Sequence, residues 1–442
     1  MSLRTQRRPL AQVTGPAEPF DINVDHQTFL NLAAWKEQYG DVVGVAPHRR
    51  NSPALFLNDP NHVRHILIGN HRNYRKGVGF ERVAMLLGNG IIVSDGEFWR
   101  AQRRMIQPVF HKSVIAAQAK MMHSCNKRKL EQWQSRAADS IPVDITLEMS
   151  ELALEVILRA LISNDLDRLI ETEGGNPFAL LVEDVTRDLQ LAMRFRSLTR
   201  HIAKIIHNRR EVNRVEDDFL SYLMQARDKD TGEAMPDKHL IDEVMTIIVA
   251  GHETTAGTLN WAWYLLSQHP EIEKTLHEEV DRLGRDPAYE DLAQLQITRQ
   301  IIEETLRLYP PVWLFSRKAI NDDRLPQGDH DIHVQAGTDI FLCPYLLHRD
   351  ERYWPDPERF RPARFSDEMV RDRNKCVYFP FSLGSRRCIG EFFSLVDMQL
   401  HIAMLAQHIC LRHVPGDAIE IEPLINLRSR NSIMMMPMKR HP

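Results

Sequence analysis

Phe379-Pro380-Phe381-Ser382-Leu383-Gly384-Ser385-Arg386-Arg387-Cys388-Ile389-Gly390-Glu391, followed by the apolar run Phe392 to Leu405, places one cysteine just before a helix. Unpaired N–H groups and the positive end of the helix dipole favour a thiolate there. Arg386 and Arg387 add positive charge, so Cys388 is expected to be ionised. Gly384 offers a backbone conformation closed to other residues, Gly390 permits a flat ligand to come close, and Phe381 can lie beside the sulfur and exclude water. This is how a thiolate metal ligand is presented on a rigid loop. A lone cysteine is by default an ordinary buried thiol. The pattern F-x-x-G-x-R-x-C-x-G, however, fixes five residue types, and its chance occurrence in this chain is on the order of one in ten thousand. Zinc is disfavoured, because no second cysteine or histidine stands two to five residues away and no C-x-x-C spacing occurs.

Outward from this loop the periodicity is mainly helical. Lys112 to Trp133, Ile145 to Ile162, Leu180 to Arg210, Asp237 to Gln268, Glu271 to Leu283 and Thr298 to Leu308 place apolar residues three and four apart. Asp237 to Gln268 is the longest, capped by Asp237 after Pro236 and stopped by Pro270. It is expected to cross the domain over roughly 45 Å and to be buried along much of its length. Small and polar residues, Ala250-Gly251-His252-Glu253-Thr254-Thr255, interrupt its apolar middle. Strand-like alternation is sparse, at Ala54 to Leu57 and in a hairpin of Ile332 to Val334 with Asp339 to Leu342 across Ala336-Gly337. The fold class is therefore mainly α with small β-sheets.

The chain has 442 residues, 43% of them hydrophobic and 26% charged, with 56 Lys and Arg against 60 Asp and Glu. That is globular and carries no global basic field, so no nucleic acid is expected as a partner. Polar stretches are loop-sized, so one domain over 1–442 is expected, with 1–20 irregular. Five scattered cysteines point to a reducing compartment, and no transmembrane segment is expected because no stretch approaches about 20 apolar residues. A cytoplasmic protein is the expectation.

The cysteine loop resembles the haem-binding signature of the cytochrome P-450 superfamily, the haem-thiolate monooxygenases. The resemblance spans roughly Trp99 to Leu405 and looks like that of a soluble bacterial-type member. It implies the P-450 fold, with the long helix crossing the haem, here haem b (iron protoporphyrin IX). Cys388 is then the axial iron ligand. Glu304-Thr305-Leu306-Arg307 puts an acid and a base three apart on one helix face, a spacing common on solvated faces. With Pro357-Glu358-Arg359-Phe360, which looks like the family's meander motif, it implies a buried network of Glu304, Arg307 and Arg359 that holds the loop. Trp99-Arg100-Ala101-Gln102-Arg103 resembles the family's W-x-x-x-R motif. By resemblance Trp99, Arg103, Arg317 and Arg386 bind haem propionates, with Arg100, Arg104 and Arg387 at the surface.

The run at 250–255 matches the family's oxygen-activation motif, [AG]-G-x-[DE]-T-[TS]. Gly251 and a threonine hydroxyl both loosen a helix, opening a groove for dioxygen beside Ala250. The match implies that Thr254 helps to protonate bound oxygen and that Glu253 relays protons from solvent. His252 is left as a packing or surface residue. The pocket is expected to be lined by Phe80, Leu87, Ile91, Ile92, Val249, Ala250, Thr254, Val312, Trp313 and Leu314. This apolar set fits a lipophilic substrate such as a fatty acid, terpenoid, steroid-like molecule or other natural product. No G-x-G-x-x-G follows a strand and nothing remains after Pro442 to build a reductase, so a separate ferredoxin or flavodoxin with its reductase is expected. The basic residues Arg100, Arg104, Lys112 and Arg387 would dock it. A haem-thiolate peroxygenase or a haem sensor would keep the cysteine loop, but neither accounts for Glu253-Thr254.

Overall fold

The computed structural model describes residues 13–182 and 189–440. Residues 13–20 form neither helix nor strand, and the rest of the expected irregular start, 1–12, lies outside the described residues. Seven helices place the site: α1 (Gly96–Ile106), α2 (Lys112–Ala138), α3 (Ile145–Ile162), α4 (Leu189–Glu211), α5 (Asp237–Gln268), α6 (Gln296–Leu308) and α7 (Glu391–His408). The bounds of α3 and α5 are those read from the apolar periodicity. The helix expected from Leu180 is instead a short 3-10 turn, Pro177–Leu181, and then α4, with 183–188 outside the described residues.

Helix α5 has 32 residues and runs through the main core with Leu240, Val244, Ile248 and Leu266 almost wholly buried. Its N-cap is Pro236, not Asp237. Asp237 lies in the first turn, where it complements the helix dipole and pairs with Arg210 at 2.5 Å. Gly251 lets α5 cross α3 closely, since a Cβ there would stand 3.0 Å from the Ile157 side chain. His401 of α7 joins three helices. Its Nε2 accepts from Trp263 Nε1 at 2.9 Å, and its Nδ1 is 2.7 Å from Asn126 Oδ1 on α2. Burial holds this ring at about 3, so it is neutral, and the accepting Nε2 puts the proton on Nδ1, which donates to Asn126.

Seven of the strands lie to one side: β1 (Val42–Val45), β2 (Ala54–Leu57), β3 (Tyr74–Lys76), β4 (Phe315–Ala319), β5 (Asp323–Gln327), β6 (His330–Val334) and β7 (Asp339–Leu342). Five form a sheet in the order β1-β2-β7-β4-β3. The expected hairpin across Ala336-Gly337 does not form. β6 pairs with β5, while β7 joins β2 in parallel and β4 antiparallel. All four residues of β7 are buried, and a strand buried on both faces takes a central position, which the hairpin would have denied it. The register of β3 with β4 sets Lys76 opposite Arg317.

Candidate haem-thiolate site

The cysteine loop is fixed from its backbone outward. Cys388 N–H donates to the Phe381 carbonyl at 2.9 Å, closing the loop just before α7. Gly384 has φ +69°, and a Cβ there would fall 1.9 Å from the Leu67 carbonyl oxygen, so glycine is required by both conformation and space. Gly390 differs: a Cβ would stand 4.0 Å from Cys388 Sγ, ordinary contact. The polypeptide does not itself demand glycine at 390, and a flat group lying against the sulfur would.

Among the cysteines Cys388 is exposed, Cys410 is half-buried, and Cys125, Cys343 and Cys376 are buried. Burial pushes Cys125 and Cys343 up to about 12. The surroundings of Cys388 also raise its thiol, chiefly because the packed loop replaces water around the sulfur. Against this pull the N–H groups of Gly390 and Glu391 and the guanidinium of Arg103. The loop's N–H groups and Arg103 thus act in the expected direction, against the loss of water around the sulfur. Arg387 spends its charge on Glu391 and Arg386 on Asp95. A cation on the sulfur would complete the ionisation, as metals do for coordinating thiols.

Beside the loop lies a cluster of cations. Arg386 forms an ion pair with Asp95, donates to the Ser94 carbonyl at 3.1 Å and lies 4.2 Å over the buried Trp99 ring. Arg317 is buried, and its Nη1 donates to its neighbour's carbonyl, Ser316, at 2.8 Å. Burial and then Arg386 push Arg317 down to about 10. Lys76 is pushed well below its ordinary value by burial and then by Arg317 and Arg386, with Asp95 opposing. Three cations thus share one carboxylate. This is a poor arrangement for a protein alone and a good one for a ligand that brings two more carboxylates. Arg103 donates to the Arg387 carbonyl at 3.0 Å, near the sulfur. Taken with Cys388 and Gly390, the donor set fits haem.

The network behind the loop corrects one expectation. Arg307 is wholly buried and donates through Nε and Nη2 to Glu304 at 2.7 and 2.9 Å. The third member is Arg364, whose Nε donates to Glu304 Oε1 at 3.2 Å. Arg359 is exposed and contributes only its carbonyl, 3.4 Å from Arg307 Nη2. The 3-10 turn Pro362–Phe365 packs on α6 and turns Arg364 inward, while Arg361 N–H closes on Glu304 Oε1 at 2.9 Å. The network reaches the loop through His348. Its carbonyl accepts from Arg307 at 2.9 Å, and its Nε2 accepts from Phe379 N–H at 3.0 Å. Burial holds His348 far below its ordinary value, which keeps that acceptor free of a proton.

Above the loop, α5 remains helical through 250–255. The Thr254 hydroxyl donates to the Ala250 carbonyl at 2.7 Å, and Thr258 repeats this on Thr254 at 2.9 Å. Glu253 is exposed. His252 is a packing residue, buried against Ser150 Oγ at 2.8 Å and lowered by burial to about 4. Of the expected pocket, Phe80, Ile92, Val249, Ala250 and Thr254 are half-buried and Val312 is exposed, leaving apolar surface for a ligand. Leu87 and Ile91 pack into the main core. Trp313 does not line the pocket. It is wholly buried in the sheet-side core, where it donates to the Leu424 carbonyl at 2.8 Å and meets Phe29 edge-on, and Leu314 packs in the same core.

A family model described as Cytochrome P-450 matches residues 19–434. The chain belongs to the cytochrome P-450 family. It is 34% identical to cyclooctatin synthase of Streptomyces melanosporofaciens, covering 93% of this chain and 91% of that protein. It is also 34% identical to cyclooctat-9-en-7-ol 5-monooxygenase of the same organism, over 88% of this chain and 86% of that one. The crystal structure of the cytochrome P450DA haem domain superposes with a TM-score of 0.86 at 23% identity, over 98% of this chain and 99% of that chain, which shows the shared fold. This cytochrome P-450 is accordingly an oxidoreductase, a haem-thiolate monooxygenase by family. No described helix is long and apolar enough to cross a membrane.

In this cytochrome P-450 the residues that motif reading missed are Lys76, Asp95, His348 and Arg364. Only Arg364 had a signal. Pro362-Ala363-Arg364-Phe365 repeats the P-x-R-F of Pro357-Glu358-Arg359-Phe360 five residues on. The others are brought in by strand register and loop packing.

Proposed function

We propose that this enzyme inserts one oxygen atom from dioxygen into a lipophilic, terpenoid-like substrate at haem b held by Cys388, as a single cytoplasmic domain. Electrons come from a separate ferredoxin or flavodoxin and its reductase. The observation that carries this reading is the joint one of an exposed cysteine on a glycine-shaped loop beside three cations that share one carboxylate. The substrate class rests on the half-buried apolar wall of Phe80, Ile92 and Val249 and on the unsaturated cyclic alcohol in one relative's name. Haem bound through a cysteine thiolate supplies iron whose sulfur ligand pushes electron density toward O–O cleavage, as is general for cysteine-ligated haem.

The chain's own residues bind, orient and move protons. Lys76, Arg317 and Arg386 would hold the two carboxylates of the group, and Trp99 lies against Arg386. Thr254 has its hydroxyl hydrogen on the Ala250 carbonyl, which leaves its oxygen to accept a hydrogen bond; donation of a proton into the pocket requires the hydroxyl to rotate off that carbonyl and its hydrogen to be replaced from solvent. Glu253, in contact with water, is placed to replenish that proton. The test is conversion of a cyclic terpenoid alcohol that stops when either dioxygen or reductant is left out. Conversion with peroxide alone and no reductant demand would make the enzyme a peroxygenase instead. In Thr254→Ala, product formed per reductant consumed should fall on the order of ten-fold while reductant consumption continues.

Local ion pairs qualify the docking surface. Arg100 is paired with Glu97, Arg104 with Asp230 and Arg387 with Glu391, while Lys112 lies 5.3 Å over Phe392. An acidic donor must compete with these acids for the arginines. Joint reversal of Arg104 and Lys112 to Glu should slow reduction by such a donor several-fold at low salt, in stopped-flow traces. Equal rates in both proteins would remove this face.

A further inference from the structure

The loop Gly88–Ser94 carries Ile91 and Ile92 between α5 and the cation cluster and is pinned at both ends. At the far end Arg386 holds the Ser94 carbonyl, and Asp95 accepts from Lys76 N–H at 2.8 Å. At the near end two successive acids of α5 take its backbone. Asp242 Oδ2 accepts from Asn89 N–H and Glu243 Oε2 from Ile91 N–H, each at 2.9 Å. The contact is tight enough to exclude side chains. A Cβ on Gly88 would stand 2.2 Å from Asp242 Oδ1, and one on Gly90 2.1 Å from Thr246 Oγ1. Glu243 is wholly buried, yet its Oε1 has no hydrogen-bond partner, and neither has Thr246 Oγ1 one turn on. A buried carboxyl with one oxygen bonded and one orphaned is a costly way to build a static wall.

We infer that Asp242 and Glu243 are positioning residues that clamp the Gly88–Ser94 loop onto α5, and that release of the Glu243 clamp lifts the loop and opens the pocket to bulky ligands. The inference rests on the reading of α5 as the pocket wall. Burial pushes the Glu243 carboxyl up to about 8, against the Ile91 N–H and with help from Asp242. The loop bears no titratable side chain. Among the described residues Asp242 is the charge that acts on Glu243. When the loop lifts, water reaches the carboxyl and its affinity for the proton returns toward the ordinary 4.5. Opening thus releases a proton, so rising pH favours the lifted loop up to about 8, and the dependence ends above it.

The experiment is hydrogen exchange of the holoenzyme, read by mass spectrometry on the peptide covering residues 88–94. The α3 peptide serves as reference for global opening. After correction for intrinsic rates, wild-type exchange of the loop should rise more than about ten-fold from pH 6 to pH 8.5. Glu243→Gln, which keeps the shape and an acceptor but cannot ionise, should show a flat profile with the α3 peptide unchanged. The rate at which a bulky azole reaches the haem should follow the same two profiles, with carbon monoxide as an ungated control. A flat wild-type profile, or a Gln variant that keeps the wild-type dependence, would overturn the clamp. Exchange that follows pH without azole entry following it would overturn the gate. Loss of the haem-thiolate reading would show in the carbon monoxide spectrum and leave the exchange result standing.

Discussion

Cys388→His yields a reduced carbon monoxide complex without the red-shifted Soret band of the wild type, and it loses monooxygenation altogether. The physical ground is access. Cys388 alone is exposed, while Cys125, Cys343 and Cys376 are buried and Cys410 is half-buried. Cys125 is moreover occupied with its own neighbours, 3.3 Å from Arg128 Nη2 and 3.8 Å from Met121 Sδ. Cys125→Ser should therefore keep the full red-shifted band. On the proposed reading, an iron cation on the Cys388 sulfur would complete its ionisation. Red-shifted absorption in the Cys388→His protein, measured by difference spectroscopy, would mean that another sulfur serves as ligand.

The second large effect separates two arginines that look alike in sequence. Arg364→Ala removes a buried cation from Glu304 and frees the carbonyls of Pro355 and Asp356, which it also holds. Breaking such a network by removing one partner costs about 3–5 kcal/mol. The strain passes through Arg307 and His348 to Phe379 at the root of the cysteine loop, so haem retention should fall with stability. Arg359→Ala removes only an exposed side chain and should change stability by less than about 0.5 kcal/mol. Denaturant unfolding with haem-to-protein ratios checks both. Equal losses in the two variants would mean that the meander as a whole, and not the Arg364–Glu304 contact, supports the loop.

These two cases mark where motif reading ends. Glu304 and Arg307 place an acid and a base three apart on one turn, but that spacing is common on solvated faces, and it was the family resemblance that marked the pair as buried. Ile145–Ile162 and Asp237–Gln268, by contrast, were legible because their length let the apolar period speak clearly. Arg359 and Arg364 share the same short pattern. The choice between them is made where the chain turns back onto α6, and no local signal records that. Trp313 was expected at the pocket because its segment follows the Glu304–Arg307 helix. The partner that decides its direction, the Leu424 carbonyl, lies 111 residues away.

What the sequence by itself determined is the P-450 family and the motifs that carry it: a glycine-shaped loop around one cysteine, and a long buried helix with a threonine at its centre. What only the tertiary structure decided is the charge balance and which distant segments are tied together. Lys76 meets Arg317 through strand register, Asp95 is the carboxylate that acts on three cations among the described residues, and Glu243 holds a loop 152 residues distant. Local chemistry is written in short spacings, because neighbours on one turn interact whatever else the chain does. Electrostatic balance depends on which distant groups share the same loss of water, and that is settled only when the segments pack.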